Sequence, residues 1–389
     1  MRQNESLHYL DNAATTLVAP QVADAIYKTM TEHWGNPSSL YGPGQASRRL
    51  LDRARAAVAA TLGAGAGEVF FTGCGSESNN IAILGAVEPR SAWGKKIVVS
   101  GFEHPSVALP MQRLAEKGFE VAFIAPGPDG SLDGEAFLAA VDRHTILAAF
   151  MQVNNETGAQ VDAAALAQRI KAKNPRTAVH VDGVQAWMRV PVSLAGIDSY
   201  TVSGHKIHAP KGVGALYLRR GHNIQPPYLG GGQEKGVGGG QELGVRPGTE
   251  NLPYAVGLAT AASLMHENAA RRTPHVAALN ARLRAGLERL PEITLNSPAD
   301  AVNEVLNLST NCVRSETMLH FLETKGVYVS SGSACSRGAA SHTLGAMGLP
   351  PRAIDTALRV SFCGDNTEAD VDALLAGLEE GLATLARLQ

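Results

Sequence analysis

Disulfides are the first thing this sequence lacks the means to build. Its 389 residues hold four cysteines, Cys74, Cys312, Cys335 and Cys363, too few for a framework of bridges. No two stand in a CxxC pair, so a structural zinc site is not expected either, and no metal is assigned. An excess of one charge is also missing. The chain has 34 Lys and Arg against 36 Asp and Glu, a net charge of −2. That balance argues against nucleic acid or a membrane surface as the main partner. No apolar run is long enough to span a bilayer, and the opening MRQNESLHYLDNAATT has no signal-peptide core. The expectation is a soluble cytoplasmic protein whose thiols stay reduced.

What the chain does have is enough apolar residue for a sizeable core. Hydrophobic residues make up 44% and charged residues 18%, which excludes intrinsic disorder. Strand-like and helix-like runs alternate through the first two-thirds. KIVVSGFEH (96–104), EVAFIAP (120–126), TILAAFMQVNNE (145–156), TAVHVDG (177–183), DSYTVSG (198–204) and VGALYL (213–218) are short, apolar and β-rich. Amphipathic stretches lie between them. Such alternation predicts an α/β fold with a mainly parallel sheet covered on both faces. Ligands of such sheets bind beyond the carboxyl ends of the strands. Glu103, His104, Asn154, Asn155, Asp182, Gln185, Ser203, His205 and Lys206 all follow apolar runs. After about residue 250 the pattern changes to one or two long helices, then a mixture that reads as a smaller α+β domain.

Several of these residues admit a chemical role beside a plain one. Lys206 in SGHKIHAPKG (203–212) is either a solvated surface lysine or one that bonds a carbonyl cofactor, beside a phosphate-binding Ser203 and His205. Asp182 in HVDGVQA either caps the following turn or pairs with a pyridinium nitrogen. Gln185 could then donate to the ring's phenolic oxygen. In FTGCGSESNN (71–80), Gly75 and Ser76 open a helix, either as an ordinary cap or as an anion cradle. His104 is structural, or stacks on an aromatic cofactor and moves protons. Asn155 in NNETG is a polar contact of similar ambiguity. Cys335 sits among small polar residues in SSGSACSRG (330–338), with Arg337 two residues on. It is a loop residue tolerated in a reducing compartment, or a reachable thiolate whose pKa a cation lowers. Arg359 lies within the apolar strand LRVSF and needs an anion: a substrate carboxylate, or an internal acid.

Taken together and in order, these segments resemble the cysteine desulfurases of the NifS/IscS type, within the class V aminotransferases of pyridoxal phosphate (PLP) fold type I. The resemblance runs through YLDNAATT (9–16), NPSS (36–39), ESNN (77–80), EHPSV, NNETG, HVDGVQA, SGHKIHAPKGVGALY, the GGGQE to GTEN stretch (238–251), SSGSAC (330–335) and LRVSF. It implies a large PLP-binding domain over 16–255 with a mainly parallel seven-stranded sheet. Residues 1–15 and 256–389 would form the smaller α+β domain that carries the catalytic cysteine. Lys206 matches the lysine that binds the cofactor covalently, Asp182 the partner of the pyridine nitrogen, Gln185 the phenolic-oxygen contact and His104 the stacking histidine. Gly75, Ser76, Ser203 and His205 match the phosphate cradle. Thr249 matches a phosphate contact supplied by a second subunit, so a homodimer is implied. Asn12, Asn155 and Arg359 match residues around the substrate carboxylate and the ring, and Cys335 matches the catalytic cysteine.

The implied reaction turns L-cysteine into L-alanine and leaves a persulfide on Cys335. A sulfur-acceptor protein would collect it for iron–sulfur cluster assembly or thiolation. The alternatives are selenocysteine lyase or another class V reaction, and a PLP-fold scaffold without catalysis. His205 and His208 are three apart, but no neighbouring Cys or carboxylate completes a metal site. Two features depart from the family. GGGQEKGV (230–237) is followed at once by GGGQELGV (238–245), where one copy is usual. The second copy leads into Arg246 and GTEN and takes the family position, leaving the first as a lid or interface loop. The loop after Cys335 is also about two residues shorter than in long-loop relatives, a loss of roughly 7 Å in reach, which favours a dedicated acceptor.

Overall fold

A computed structural model describes residues 7–230, 244–331 and 341–388. Most of the first GGGQE octad, much of the second, and Cys335 lie outside the described residues. Twelve strands occur among those described: β1 (His8–Tyr9), β2 (Val69–Thr72), β3 (Lys96–Ser100), β4 (Glu120–Ile124), β5 (Thr145–Met151), β6 (Ala178–Asp182), β7 (Ser199–Ser203), β8 (Gly214–Leu218), β9 (Thr294–Leu295), β10 (Val305–Ser309), β11 (Val327–Tyr328) and β12 (Ala357–Ser361).

The large lobe is built on a seven-stranded sheet in the order β2-β8-β7-β6-β5-β3-β4. All pairings are parallel except those of β8 with β2 and β7. The central β5, TILAAFM, is buried at every position, as a strand covered on both faces must be. Edge strand β4 is half exposed. Helix Gly75–Val87 has apolar residues on all sides and is buried along most of its length, so it forms part of the core and not a cover. Because β2, β3, β5, β6 and β7 run the same way, their carboxyl ends share one edge.

The small lobe has its own core, with Leu10, Leu279, Leu306, Met318, Leu358 and Leu374 at its centre. An antiparallel sheet, β12-β10-β9, and a short parallel pair, β1-β11, carry it. The N-terminal segment therefore joins the small lobe. Asp11 also forms a bridge with Ser361 at the end of β12.

The expected boundary at 255/256 falls inside helix Leu252–Glu267. That helix buries Leu258, Ala261 and Ala262 in the large-lobe core. The next helix, Ala269–Leu287, packs Val276, Leu279 and Leu283 into the small-lobe core. Asn268 ends one helix and begins the other, and the lobes part there. Sequence periodicity shows both helices but not which core each one serves. Among the described residues no helix is long and apolar enough to cross a membrane.

Candidate active site

The carboxyl edge of the large sheet gathers one set of polar residues. Asp182 ends β6, Ser203 ends β7, and both are buried. Lys206 closes the short helical turn Gly204–Lys206 that follows β7. Gly75 opens its helix against them. A Cβ at Gly75 would stand 2.8 Å from Val184 Cγ2 and 3.4 Å from Ser203 Cβ, so only glycine allows this approach. Ser76, next in the helix, is exposed. His205 is held by burial, and then by Lys206, at a pKa of about 4; its ring is neutral at pH 7. Its Nδ1 lies 3.3 Å from Thr15 Oγ1.

Behind Asp182 lies a hydrogen-bonded chain whose proton positions can be worked out from its donors. Asn79 Nδ2 donates to Asp182 Oδ2 at 2.8 Å and to Ser106 Oγ at 2.8 Å. Its Oδ1 is left to accept from His180 Nε2 at 3.0 Å. His180 therefore carries its proton on Nε2, and its Nδ1 accepts from Ser199 Oγ at 2.9 Å. Burial lowers the His180 pKa to about 3, which keeps the ring in this neutral form. On the other side the Ser106 backbone N–H donates to His104 Nδ1 at 3.1 Å. With Oγ accepting from Asn79, the Ser106 hydroxyl proton also points to His104 Nδ1, at 2.8 Å. His104 keeps its proton on Nε2. Burial lowers the His104 pKa more than Asp182 raises it, and Lys206 lowers it further. Asn79, Ser106, His180 and Ser199 were missed as individuals by sequence reasoning, although ESNN, EHPSV and HVDGVQA contain three of them.

Glu103 is the second buried acid at this edge. It accepts from the Met151 backbone N–H at 2.7 Å and from the Ser100 hydroxyl. Among the described residues its Oε2 has no partner, and burial raises its pKa to about 8. It braces the end of β3 against β5 as a neutral acid.

One N-terminal segment crosses over the lysine. Lys206 Nζ donates to Ala13 O at 2.6 Å and Ala14 O at 2.8 Å. Gln185 Nε2 donates to the same Ala13 O at 2.9 Å. Its Oε1 accepts from Arg189. Arg359, almost fully buried, pairs with Asp11 Oδ1 at 2.7 Å and donates to Asn155 O at 2.9 Å. The acid opposite Arg359 is thus internal, the plainer of the two expectations. Yet among the described residues Arg359 Nε has no partner, a donor that an incoming carboxylate could satisfy. Asn12 departs from expectation. Its amide nitrogen goes to Ser361 O at 3.0 Å and Asn366 Oδ1 at 3.1 Å, tying the segment to the small lobe. Its neighbours Asp11, Ala13 and Ala14 make the contacts with Arg359, Gln185 and Lys206. Asn154, beside Asn155, shapes the loop by accepting from the N–H groups of Glu156 and Thr157 at 2.9 Å each.

Cys335 lies outside the described residues, but both flanks of its segment are held. Ser330 and Arg359 exchange backbone hydrogen bonds of 3.1 and 2.7 Å. Past the segment, Ser341 Oγ and Thr343 Oγ1 donate to the Glu156 carboxylate at 2.5 and 3.0 Å. Thr249 is exposed. Arg246 pairs with Glu77 at 2.9 Å, which places the chain after the second octad beside the first turn of helix Gly75–Val87.

The arrangement suits a phosphorylated pyridine aldehyde. Asp182 is a buried carboxylate that, among the described residues, has no cationic partner, and a protonated ring nitrogen supplies one. Gly75, Ser203 and His205 surround a helix start that can take a phosphate, and Lys206 offers the amine. Comparison with known proteins agrees. The class-V aminotransferase family matches residues 8–374. A protein of Trichormus azollae described as a cysteine desulfurase is 36% identical over 98% of this chain and 94% of its own length. A solved NifS-like protein superposes with a TM-score of 0.89 at 34% identity, covering 97% of this chain and 99% of that one. A structure described as SspA in complex with cysteine gives a TM-score of 0.79 at 27% identity, over 92% of this chain and 99% of that chain. The chain belongs to the class-V aminotransferase family of PLP-dependent enzymes. Within that family it stands with the cysteine desulfurases of the NifS/IscS type.

Proposed function

We propose that this enzyme takes sulfur from free L-cysteine onto its own Cys335 and releases L-alanine. The observation that carries the residue assignment is the crossing segment Asp11–Ala14. It touches Lys206, Gln185 and Arg359 at once, so the amine, the ring contact and the carboxylate grip face one space.

Bound PLP supplies a ring that draws electrons from the substrate's Cα. Asp182 would hold a proton at the ring nitrogen, and Gly75, Ser76, Ser203 and His205 would hold the phosphate. Lys206 Nζ takes the Cα proton and later returns one. Arg359 grips the substrate carboxylate through Nε, with Asn155 fixing the guanidinium. His104 would serve as the ring's stacking partner, with its proton kept on Nε2. The Cys335 thiolate then attacks the substrate sulfur. An S–S bond forms and the C–S bond breaks, its electron pair staying with the carbon skeleton that leaves as alanine. An acceptor protein takes the sulfur from the persulfide, for iron–sulfur clusters or for thiolation.

A homodimer and a cytoplasmic setting belong to the same reading. Tyr27, Met30, Trp34, Leu40 and Tyr41 are large apolar side chains left exposed along one stretch of the large lobe, as a face covered by a second copy would be. Thr249 is exposed, as a residue serving a neighbouring subunit would be. The test is turnover of L-cysteine with alanine and persulfide both measured. Cys335→Ser should keep the cofactor's absorbance and form no persulfide. Persulfide formation at the wild-type rate in that variant overturns the proposal.

A further inference from the structure

The fold supplies what sequence spacing denied His208. Its ring, the Cys363 thiol and the Asp365 carboxylate each offer a ligand atom, and these atoms lie within 4.8 Å of one another. The partners come from far along the chain and from the other lobe, so no local motif could reveal them. We propose that His208, Cys363 and Asp365 form a binding site for a thiophilic divalent cation, with zinc as the fitting ion, that bridges the two lobes beside the active site.

The donor set is one that zinc accepts: an imidazole, a thiolate and a carboxylate. Tetrahedral zinc holds such donors roughly 3.3–3.8 Å apart, so the three atoms need to close by at most about 1.5 Å. His208 is already oriented. Its Nδ1 lies 3.0 Å from Leu17 O. A carbonyl only accepts, so Nδ1 carries the proton and Nε2 presents its lone pair. That is the bracing which metal-bound histidines use. Burial keeps this ring below the usual histidine pKa, in the form that ligates. The opposite side is braced too. The Cys363 backbone N–H donates to Asn366 Oδ1 at 2.8 Å, and Asn366 Nδ2 is bound to Tyr9 O at 2.9 Å and Asp370 Oδ2 at 3.0 Å.

Two cations act on His208, Arg189 and Arg272. Arg272 is paired with Glu304 at 3.1 Å, and Arg189 donates to Gln185. The thiolate and carboxylate together balance a divalent ion. Binding releases the Cys363 thiol proton to solvent. His208 stands two residues after Lys206, and Cys363 follows β12, which carries Arg359. An ion here therefore ties the lysine's turn to the arginine's strand, and a fourth position remains for water or a thiol.

The experiment uses chelator-treated holoenzyme titrated with Co2+, read by the red d–d bands of tetrahedral cobalt, where PLP does not absorb. The expected result is one Co2+ per chain, displaced by Zn2+. The bands should vanish in Cys363→Ser and His208→Gln and persist in Cys335→Ser. Asp365 is exposed, so Asp365→Asn should fold normally and weaken binding by about tenfold or more. Absence of stoichiometric binding overturns the site. So do bands that survive in Cys363→Ser but not in Cys335→Ser, and an Asp365→Asn variant that binds as tightly as the parent. None of these readouts depends on turnover.

Discussion

The cofactor end and the substrate end of this site are made in different ways. The cofactor end rests on one sheet in one lobe. Asp182, Ser203 and Lys206 follow neighbouring parallel strands, and Asn79 and Ser106 complete the set from adjoining helices. The substrate end has no such floor. Arg359 comes from the small lobe, Asn155 from the large lobe, and Asp11 from the N-terminal segment lying between them. The difference teaches that the residues proposed to hold PLP rest on one lobe, whereas the proposed grip on the substrate depends on how the lobes sit together.

The sharpest way to break this comparison is Lys206→Ala. It removes the base and the covalent link together, and turnover should fall by about 10⁴-fold, with loss of the lysine-bound cofactor band in the visible spectrum. Retained turnover would show that the sheet edge is not where the chemistry happens.

Asn79→Leu comes next. It strips one donor from Asp182 and leaves Ser106 and His180 without their partner. A fall of about 10²-fold in kcat is expected with KM little changed, along with a shifted cofactor spectrum. A rise in KM with kcat unchanged would mean that the chain behind Asp182 serves the substrate end instead.

At the other end, Arg359→Lys should raise KM for cysteine by about 10- to 100-fold, since the charge stays but the planar fork of donors, Nε included, is lost. Asp11→Asn should act in the opposite direction, lowering KM a few-fold, because the internal acid competes with the substrate carboxylate for the same guanidinium. If both variants change kcat alone, the carboxylate is held elsewhere.

The smallest effect concerns stability. Burial raises Glu103 from 4.5 to about 8. Between those values the folded chain holds a proton that the unfolded chain has released. Stability therefore falls as pH rises through that window and levels off above it. Glu103→Gln keeps the neutral shape and has no proton to lose, so its Tm should vary less between pH 5 and pH 8 (about the span of the two pKa values). Parallel Tm curves for parent and variant would contradict a protonated Glu103.

What could be read in the sequence follows the same division. Asp182, Ser203, His205 and Lys206 each stand right after an apolar strand, so periodicity alone put them at a binding edge. A mainly parallel sheet was legible for the same reason, while its count of seven strands came only from the family resemblance, since Val69–Thr72 was not among the strand-like runs. Asp11 opposite Arg359 was not, because 348 residues separate them and no local pattern marks such a pair. Asn79 and His180 sat inside quoted motifs, but only the three-dimensional contacts show that one amide bonds both Asp182 and His180. Asn12 was drawn to the site by analogy, while its amide is spent on joining the N-terminal segment to Ser361 and Asn366. The helix Leu252–Glu267 was visible as a helix, yet its allegiance to the large lobe depends on packing that no single stretch encodes.

The two fixings of the segment that carries Cys335 have a mechanical meaning. Ser330 is fastened to Arg359, and Ser341 and Thr343 are fastened to Glu156. Glu156 directly follows Asn155, whose carbonyl steadies the same arginine. A substitution that loosens either fastening should therefore be felt at Arg359 from two sides. Changes at either fastening should leave the contacts of Asp182 and Lys206 on the large sheet intact.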